Sequence, residues 1–155
     1  MKQHQYLTTV EWTGNSGRGT TSYKAYSRDH VISAGHKVLI PASSDPSFLG
    51  DPTRYNPEEL FLSSLSSCHM LWYLHLCTVN GVVVTGYTDQ AEGTMEEDES
   101  GSGRFTAVVL NPIVIVQQEE MIAKANELHA QANQMCFIAN SCNFSVNHRP
   151  IAKTV

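Results

Sequence analysis

Residues 56–77 read NPEELFLSSLSSCHMLWYLHLC, and the way this stretch folds decides the architecture around it. Asn56 can accept from the first free N–H groups of a helix, Pro57 suits the first helical position, and Glu59 stands where a carboxylate can reach back to the cap. From Leu60 to Val79 apolar residues fall on every face, and no charge follows the first turn. That pattern predicts a long central helix covered on all sides. Gly81 is placed to take the left-handed position that ends it. Cys68 stands in the middle of this helix. A free cysteine ordinarily packs as a small hydrophobe, so its type alone points to burial.

The chain has 155 residues, enough for one domain with a sizeable core, and 1–155 is read as a single domain. With 41% hydrophobic and 16% charged residues the balance is globular. The net charge is −5, with no block of Lys and Arg. Nucleic acid is therefore not expected as a partner, because phosphate binding needs clustered positive charge. Residues 60–79 contain Ser63, Ser64, Ser66, Ser67, His69 and His75, a poor membrane span and a good buried helix. The start, MKQHQYLTTVEWTG, is polar and carries no secretory apolar region. A cytoplasmic protein with reduced thiols is the expectation.

Along the chain, YLTTVEW and TSYKAYS read as two strands of a hairpin around TGNSGRG. HVISAGHKVLI reads as a further strand or pair. Residues 41–55, PASSDPSFLGDPTRY, form a long loop of the kind that often carries function. After the helix come Val-rich strands, VVVTGYTDQAEGTM and RFTAVVLNPIVIV, joined by the acidic turn 96–103. A second helix is expected from about Gln117, where Met121, Ala125, Leu128, Ala132 and Met135 form one apolar stripe. The chain turns through CFIANSCNFS and closes with SVNHRPIAKTV as a strand. The order of strands, helix, strands, helix and strand predicts an α+β fold with antiparallel sheets.

The four cysteines are not equivalent. Cys68 and Cys77 are nine residues apart on one helix, about 180° around it, and cannot share a site. Cys136 lies where the second helix ends, and Cys142 follows in the turn. No CxxC or HExxH spacing exists, and neither Cys68 nor His69 has a ligand residue four places on, so no metal is expected. GNSGRG lacks the Lys-Ser or Lys-Thr and the helix of a phosphate loop.

NPEELFLSSLSSCHM, followed by CFIANS, resembles the osmotically inducible protein C and organic hydroperoxide resistance (OsmC/Ohr) family. The pattern is Asn-Pro-Glu-Glu/Gln-Leu, a cysteine ten residues after the first Glu (68 − 58), and a second cysteine in the C-terminal third. The resemblance covers nearly the whole chain. It implies sheets wrapped around central helices in an intertwined homodimer. It also implies a thiol peroxidase that reduces organic hydroperoxides in the response to oxidative stress. Carried over, Cys68 is peroxidatic, Cys136 resolving, and Glu58 the carboxylate beside a catalytic arginine, which is Arg54 or Arg18. Arg54 ranks first because it is near Glu58 in sequence. The resemblance implies no cofactor, an organic hydroperoxide as substrate, and an external dithiol reductant such as a lipoyl group. Departures are His69 after Cys68 and the extra thiol Cys142.

The chemistry explains why such residues would be needed. A thiolate attacks a peroxide, and burial in an apolar helix disfavours the thiolate. A guanidinium offsets that and donates in a planar fork, while a carboxylate offsets the guanidinium's own burial. Without the resemblance, Glu58 reads as a helix-dipole partner, Arg54 as a loop cation and His69 as a packed interior histidine. Leu71, Trp72, Met135 and Phe137 would form an apolar wall favouring alkyl hydroperoxides. Other readings of the same fold are a non-enzymatic stress or ligand-binding protein and a thiol redox sensor. On a helix, Glu58 and Cys68 are about 15 Å apart along the axis. That spacing leaves two geometries, a site completed by a partner chain or a long Arg side chain bridging the gap within one chain, and the intertwined dimer that the resemblance implies favours the first.

Overall fold

The computed structural model describes residues 1–155. By internal contacts the chain divides into Met1–Phe61 and Leu62–Val155, and the long helix starts in the first unit and continues through the second.

In Met1–Phe61, strands β1 (Thr9–Trp12), β2 (His30–Ser33) and β3 (Ile40–Ala42) form an antiparallel sheet in that order. Val10 pairs with Ile32, and Val31 with Pro41. No residue of β1 is buried on either face. TSYKAYS, expected as a strand, is instead part of a folded-back loop. Arg28 lies 4.3 Å over the rings of both Tyr23 and Tyr26 and donates to their carbonyl oxygens at 2.7 Å. One side chain thus takes the acceptors that a strand ladder would have used. Ser27 N donates to Gly14 O, and a Cβ on Gly14 would stand 2.0 Å from Ser27 O, so only glycine fits there.

The loop before the helix is ordered by local bonds. Asp45 accepts from Ser47 N at 2.7 Å, Asp51 accepts from Thr53 N at 2.8 Å, and Ser43 Oγ accepts from Asp51 N at 3.1 Å. Helix α1 (Pro57–Val79) then starts as its sequence predicts. Glu59 N donates to Asn56 Oδ1 at 2.8 Å, and Asn56 N donates back to Glu59 Oε2 at 3.1 Å, a reciprocal cap worth about 1 kcal/mol. It also ends as predicted. Gly81 has φ 71°, and Val82 N donates to Cys77 O at 2.9 Å, which closes the last turn.

Only one face of α1 is fully buried within the chain, through Leu65, His69, Tyr73, Leu76 and Cys77. Leu71 remains 63% exposed. The expectation of cover on all sides is therefore not met within a single chain.

In Leu62–Val155, the strands are β4 (Val84–Asp89), β5 (Glu92–Glu97), β6 (Gly103–Leu110), β7 (Pro112–Val116), β8 (Val146–His148) and β9 (Ile151–Lys153). They form two sheets, β4-β7-β9 and β5-β6-β8. Each predicted long strand is thus two short ones in different sheets. At the crossing, Asp89 accepts from Asn111 N at 2.7 Å and from the Ser66 hydroxyl of α1. The sheets are mixed and not purely antiparallel. β8 runs parallel to β6, and β9 parallel to β7. Helix α2 (Ile122–Met135) follows a 3-10 turn at Glu119–Met121, later than the expected start near Gln117. Ala125, Leu128 and Ala132 of its stripe join Tyr73, Leu76, Cys77, Val82, Val114, Val116 and Ala152 in the core. Each large aliphatic side chain buried there contributes about 2 kcal/mol. No helix is long and apolar enough to cross a membrane.

Candidate active site

Cys68 is half-buried on the face of α1 away from Cys77, which is 1% exposed in the core. Cys136 is the residue that ends α2, with extended backbone, and it too is 1% exposed. The two helices bring these thiols near enough for Cys68 to raise the proton affinity of Cys136. Both are free thiols.

Burial first and the neighbouring Cys68 after it push the Cys136 thiol up to about 11, while backbone N–H groups of Ala139 and Ile138 pull against the rise. Ala139 N points at the Cys136 sulfur from 3.4 Å, and Asn140 N donates to Cys136 O at 3.0 Å. The backbone N–H groups of Ile138 and Ala139, where the short turn Ala139–Ser141 begins, thus face the sulfur with donors that favour its anion. Cys142, half-buried, donates to Ile138 O at 3.2 Å.

Aromatic side chains flank the thiols. Trp72, one turn after Cys68, meets Phe137 edge-on at 5.5 Å and His75 at 5.9 Å. Phe137 is 65% exposed. Leu71 and Met135, the other two residues expected in an apolar wall, are exposed as well.

The remaining predicted residues lie in Met1–Phe61. Arg54 pairs with Asp51 at 3.6 Å and Asp29 at 3.9 Å, and not with Glu58. Glu58 is half-buried in the first turn of α1 and enters no ion pair. Arg18 is exposed in the loop between β1 and β2.

One feature was only partly foreseen. His69 is a packed interior histidine, as expected, but it belongs to a cluster. His69 Nε2 and His129 Nδ1 are 2.9 Å apart in one hydrogen bond. Both residues are fully buried. Tyr73 stacks on His129 with centroids 3.8 Å apart. His148 of β8 packs against both imidazoles, 5.7 Å from His69 and 6.1 Å from His129. Burial, then repulsion from His148, holds His69 down to about 4. Burial, then His69 and His148, holds His129 down to about 3. His69 Nδ1, His129 Nε2 and His148 Nδ1 have no partner, each a loss of about 1–3 kcal/mol against an apolar core. The imidazoles are not disposed to hold a metal ion. His129 was not counted in the α2 stripe, but its place beside Leu128, four residues after Ala125, was the available signal.

Comparison with known proteins gives the family and the fold. The family model described as OsmC-like protein matches residues 50–149. The structure of an OsmC-like protein of unknown function from Vibrio cholerae is similar, with TM-score 0.85 and 30% identity over 96% of this chain and 100% of that one. The fold is shared at lower identity with an organic hydroperoxide resistance protein of Bacillus subtilis, with TM-score 0.65 and 18% identity over 97% of this chain and 98% of that one. It is shared too with a V. cholerae protein described as a hydroperoxide resistance protein with captopril in one of its active sites. That similarity has TM-score 0.67 and 19% identity over 100% of this chain and 95% of that one. No curated protein matches the sequence. A family match over most of the chain and a shared fold lead to one conclusion: the chain belongs to the OsmC-like family.

Proposed function

We propose that the protein is a cysteine-based peroxidase that reduces organic hydroperoxides to alcohols. The observation that carries this reading is the nearness of the two thiols, Cys68 raising the proton affinity of Cys136, with Trp72 of α1 meeting Phe137, the residue after Cys136. The Cys68 thiolate attacks the terminal peroxide oxygen. The O–O bond breaks, the alkoxide takes a proton and leaves as alcohol, and Cys68 becomes a sulfenic acid. Cys136 attacks that sulfur, hydroxide leaves with the Cys136 proton as water, and a Cys68–Cys136 disulfide forms. A cytoplasmic dithiol, of the lipoyl type for example, then reduces it by exchange.

The reading includes a homodimer. The β1–β3 sheet leaves Val10, Trp12 and Ile40 exposed, and α1 has an apolar face uncovered, surfaces that a second copy would bury. Glu58 and a guanidinium complete the site in this reading. Arg54 already carries two carboxylate partners, whereas Arg18 enters no ion pair.

One equivalent of cumene hydroperoxide is expected to remove two free thiols per chain, with peptide mapping linking Cys68 to Cys136. A Cys136–Cys142 link with Cys68 untouched would refute the assignment. Disulfide formation without sustained dithiol consumption would instead mark a sensor, and no thiol loss a binding protein.

Mixing identifies the arginine. Cys68→Ser chains co-refolded with Arg54→Ala chains are expected to recover roughly a quarter of wild-type activity if the partner supplies Arg54, since half the dimers are mixed and each has one intact site. Recovery only with Arg18→Ala chains would transfer the role to Arg18.

A further inference from the structure

The buried histidine pair joins the same two helices as the thiol pair. His69 follows Cys68 on α1. His129 precedes Cys136 by seven residues, about two turns of α2, and so projects from nearly the same side. The His69–His129 bond is 2.9 Å long and wholly interior. Tyr73 stacks on one face of the assembly, and His148 packs against both imidazoles. The rings are thus held by stacking as well as by the bond. Cys136 ends α2, so its position depends on where the end of that helix is held. A disulfide closes only when the two Cα atoms lie within a narrow range of about 4.4–6.8 Å. Apolar side chains would fill the same space without stranding three ring nitrogens, but they would not fix one helix against the other in a single register.

We propose that His69 and His129 are a positioning pair that holds the end of α2 against α1 and keeps the Cys136 sulfur at Cys68. The proposal rests on reading those thiols as partners in a disulfide. The groups that set the proton affinity of Cys136 are burial, Cys68, Ala139 and Ile138, not the imidazoles. The pair therefore acts on closure of the disulfide through position and not through the protonation of Cys136.

The test is a redox equilibrium with glutathione, using full-length protein. Oxidised glutathione takes two electrons from the two thiols and leaves as two reduced molecules while the Cys68–Cys136 bond forms. The constant reports the effective concentration of one thiol at the other. His129→Phe keeps a ring in the stack and loses the bonding nitrogen. It is expected to lower the constant by about tenfold, equivalent to about 30 mV. His129→Asn places a polar atom where Nδ1 stood, and is expected to stay within about threefold of wild type. Val114→Ala, a core change outside both pairs, is expected to lower thermal stability and leave the constant within about twofold.

A wild-type constant in His129→Phe, or an equal fall in Val114→Ala, overturns the proposal. If His129→Phe does not fold, His69→Gln and His69→Leu supply the contrast. The first is expected near wild type and the second low, and equal constants overturn the proposal. Peroxide consumption by wild type is measured alongside. Closure with glutathione but no peroxide consumption removes the proposed function and leaves the positioning pair standing. Failure of wild type to close Cys68 to Cys136 removes the positioning pair.

Discussion

Replacing Cys68 by serine is expected to lower kcat/KM for cumene hydroperoxide by roughly a thousandfold or more, about 4 kcal/mol of transition-state stabilisation. The hydroxyl has nearly the shape of the thiol but stays protonated and is a poor nucleophile toward an O–O bond, so the loss is chemical and not one of packing. Cys136→Ser is expected to behave differently. Its first turnover should proceed and stop at the sulfenic acid, trappable with dimedone. Cys77→Ser should keep most of the activity, because Cys77 lies in the core among Tyr73, Leu76 and Val82 on the other side of α1. Its cost is stability, since a hydroxyl placed there costs about 1–3 kcal/mol. Stopped-flow peroxide consumption and circular dichroism on all three variants separate these effects. Equal loss of turnover in folded Cys68→Ser and Cys77→Ser would count against a single peroxidatic thiol.

The second large effect is on stability in mild acid. His69 and His129 bind a proton in the unfolded chain near 6.5, but in the fold only at about 4 and about 3. Above 6.5 both states are neutral and the full stability is present. As pH falls from 6.5 towards 4, the unfolded chain takes up protons that the fold refuses, and stability drops. Each imidazole contributes about 3 kcal/mol to that loss, a large share of the roughly 5–15 kcal/mol that holds a typical domain. The third member, His148, is also held low by burial, and the other titratable rings nearby, Tyr73 and Tyr87, are held protonated by burial. Asp45, Asp51 and Asp98 are lowered from 3.8 by hydrogen bonds, so their stabilisation is lost only below that value, outside the window. Urea midpoints between pH 7.5 and 4.5 should therefore fall steeply, and His129→Phe should flatten the slope. Midpoints independent of pH across this range would contradict the buried neutral cluster.

What could be read from the chain and what could not divide along the range of the interactions. The cap at Asn56 and Glu59 and the stop at Gly81 depend on residues within one turn, and both formed as expected. The proposed pairing of Cys68 with Cys136 comes from the family pattern alone, because spacing along a chain does not say which sulfurs meet. TSYKAYS has the residue types of a strand, yet the Arg28 guanidinium takes the carbonyls of Tyr23 and Tyr26. Parallel pairing of β8 and β9 depends on partners more than thirty residues away, as Val108 with Val146 illustrates. The histidine cluster was hidden for the same reason, since each member alone looks like an ordinary interior residue. The choice between Arg54 and Arg18 rests on assembly, which no local pattern encodes.

The last strands have a consequence for synthesis. Pro150 stands between β8 and β9, and the eight residues from Val146 to Lys153 supply the third strand of both sheets in Leu62–Val155. Until they emerge, β6 and β7 each lack a neighbour, and both are Val-rich. A nascent or truncated chain ending before Val146 would present two unprotected apolar edges at once, the kind of template on which chains associate. The C-terminal residues are thus the latch of the fold, and premature termination near them should yield aggregated protein and not a weakened monomer.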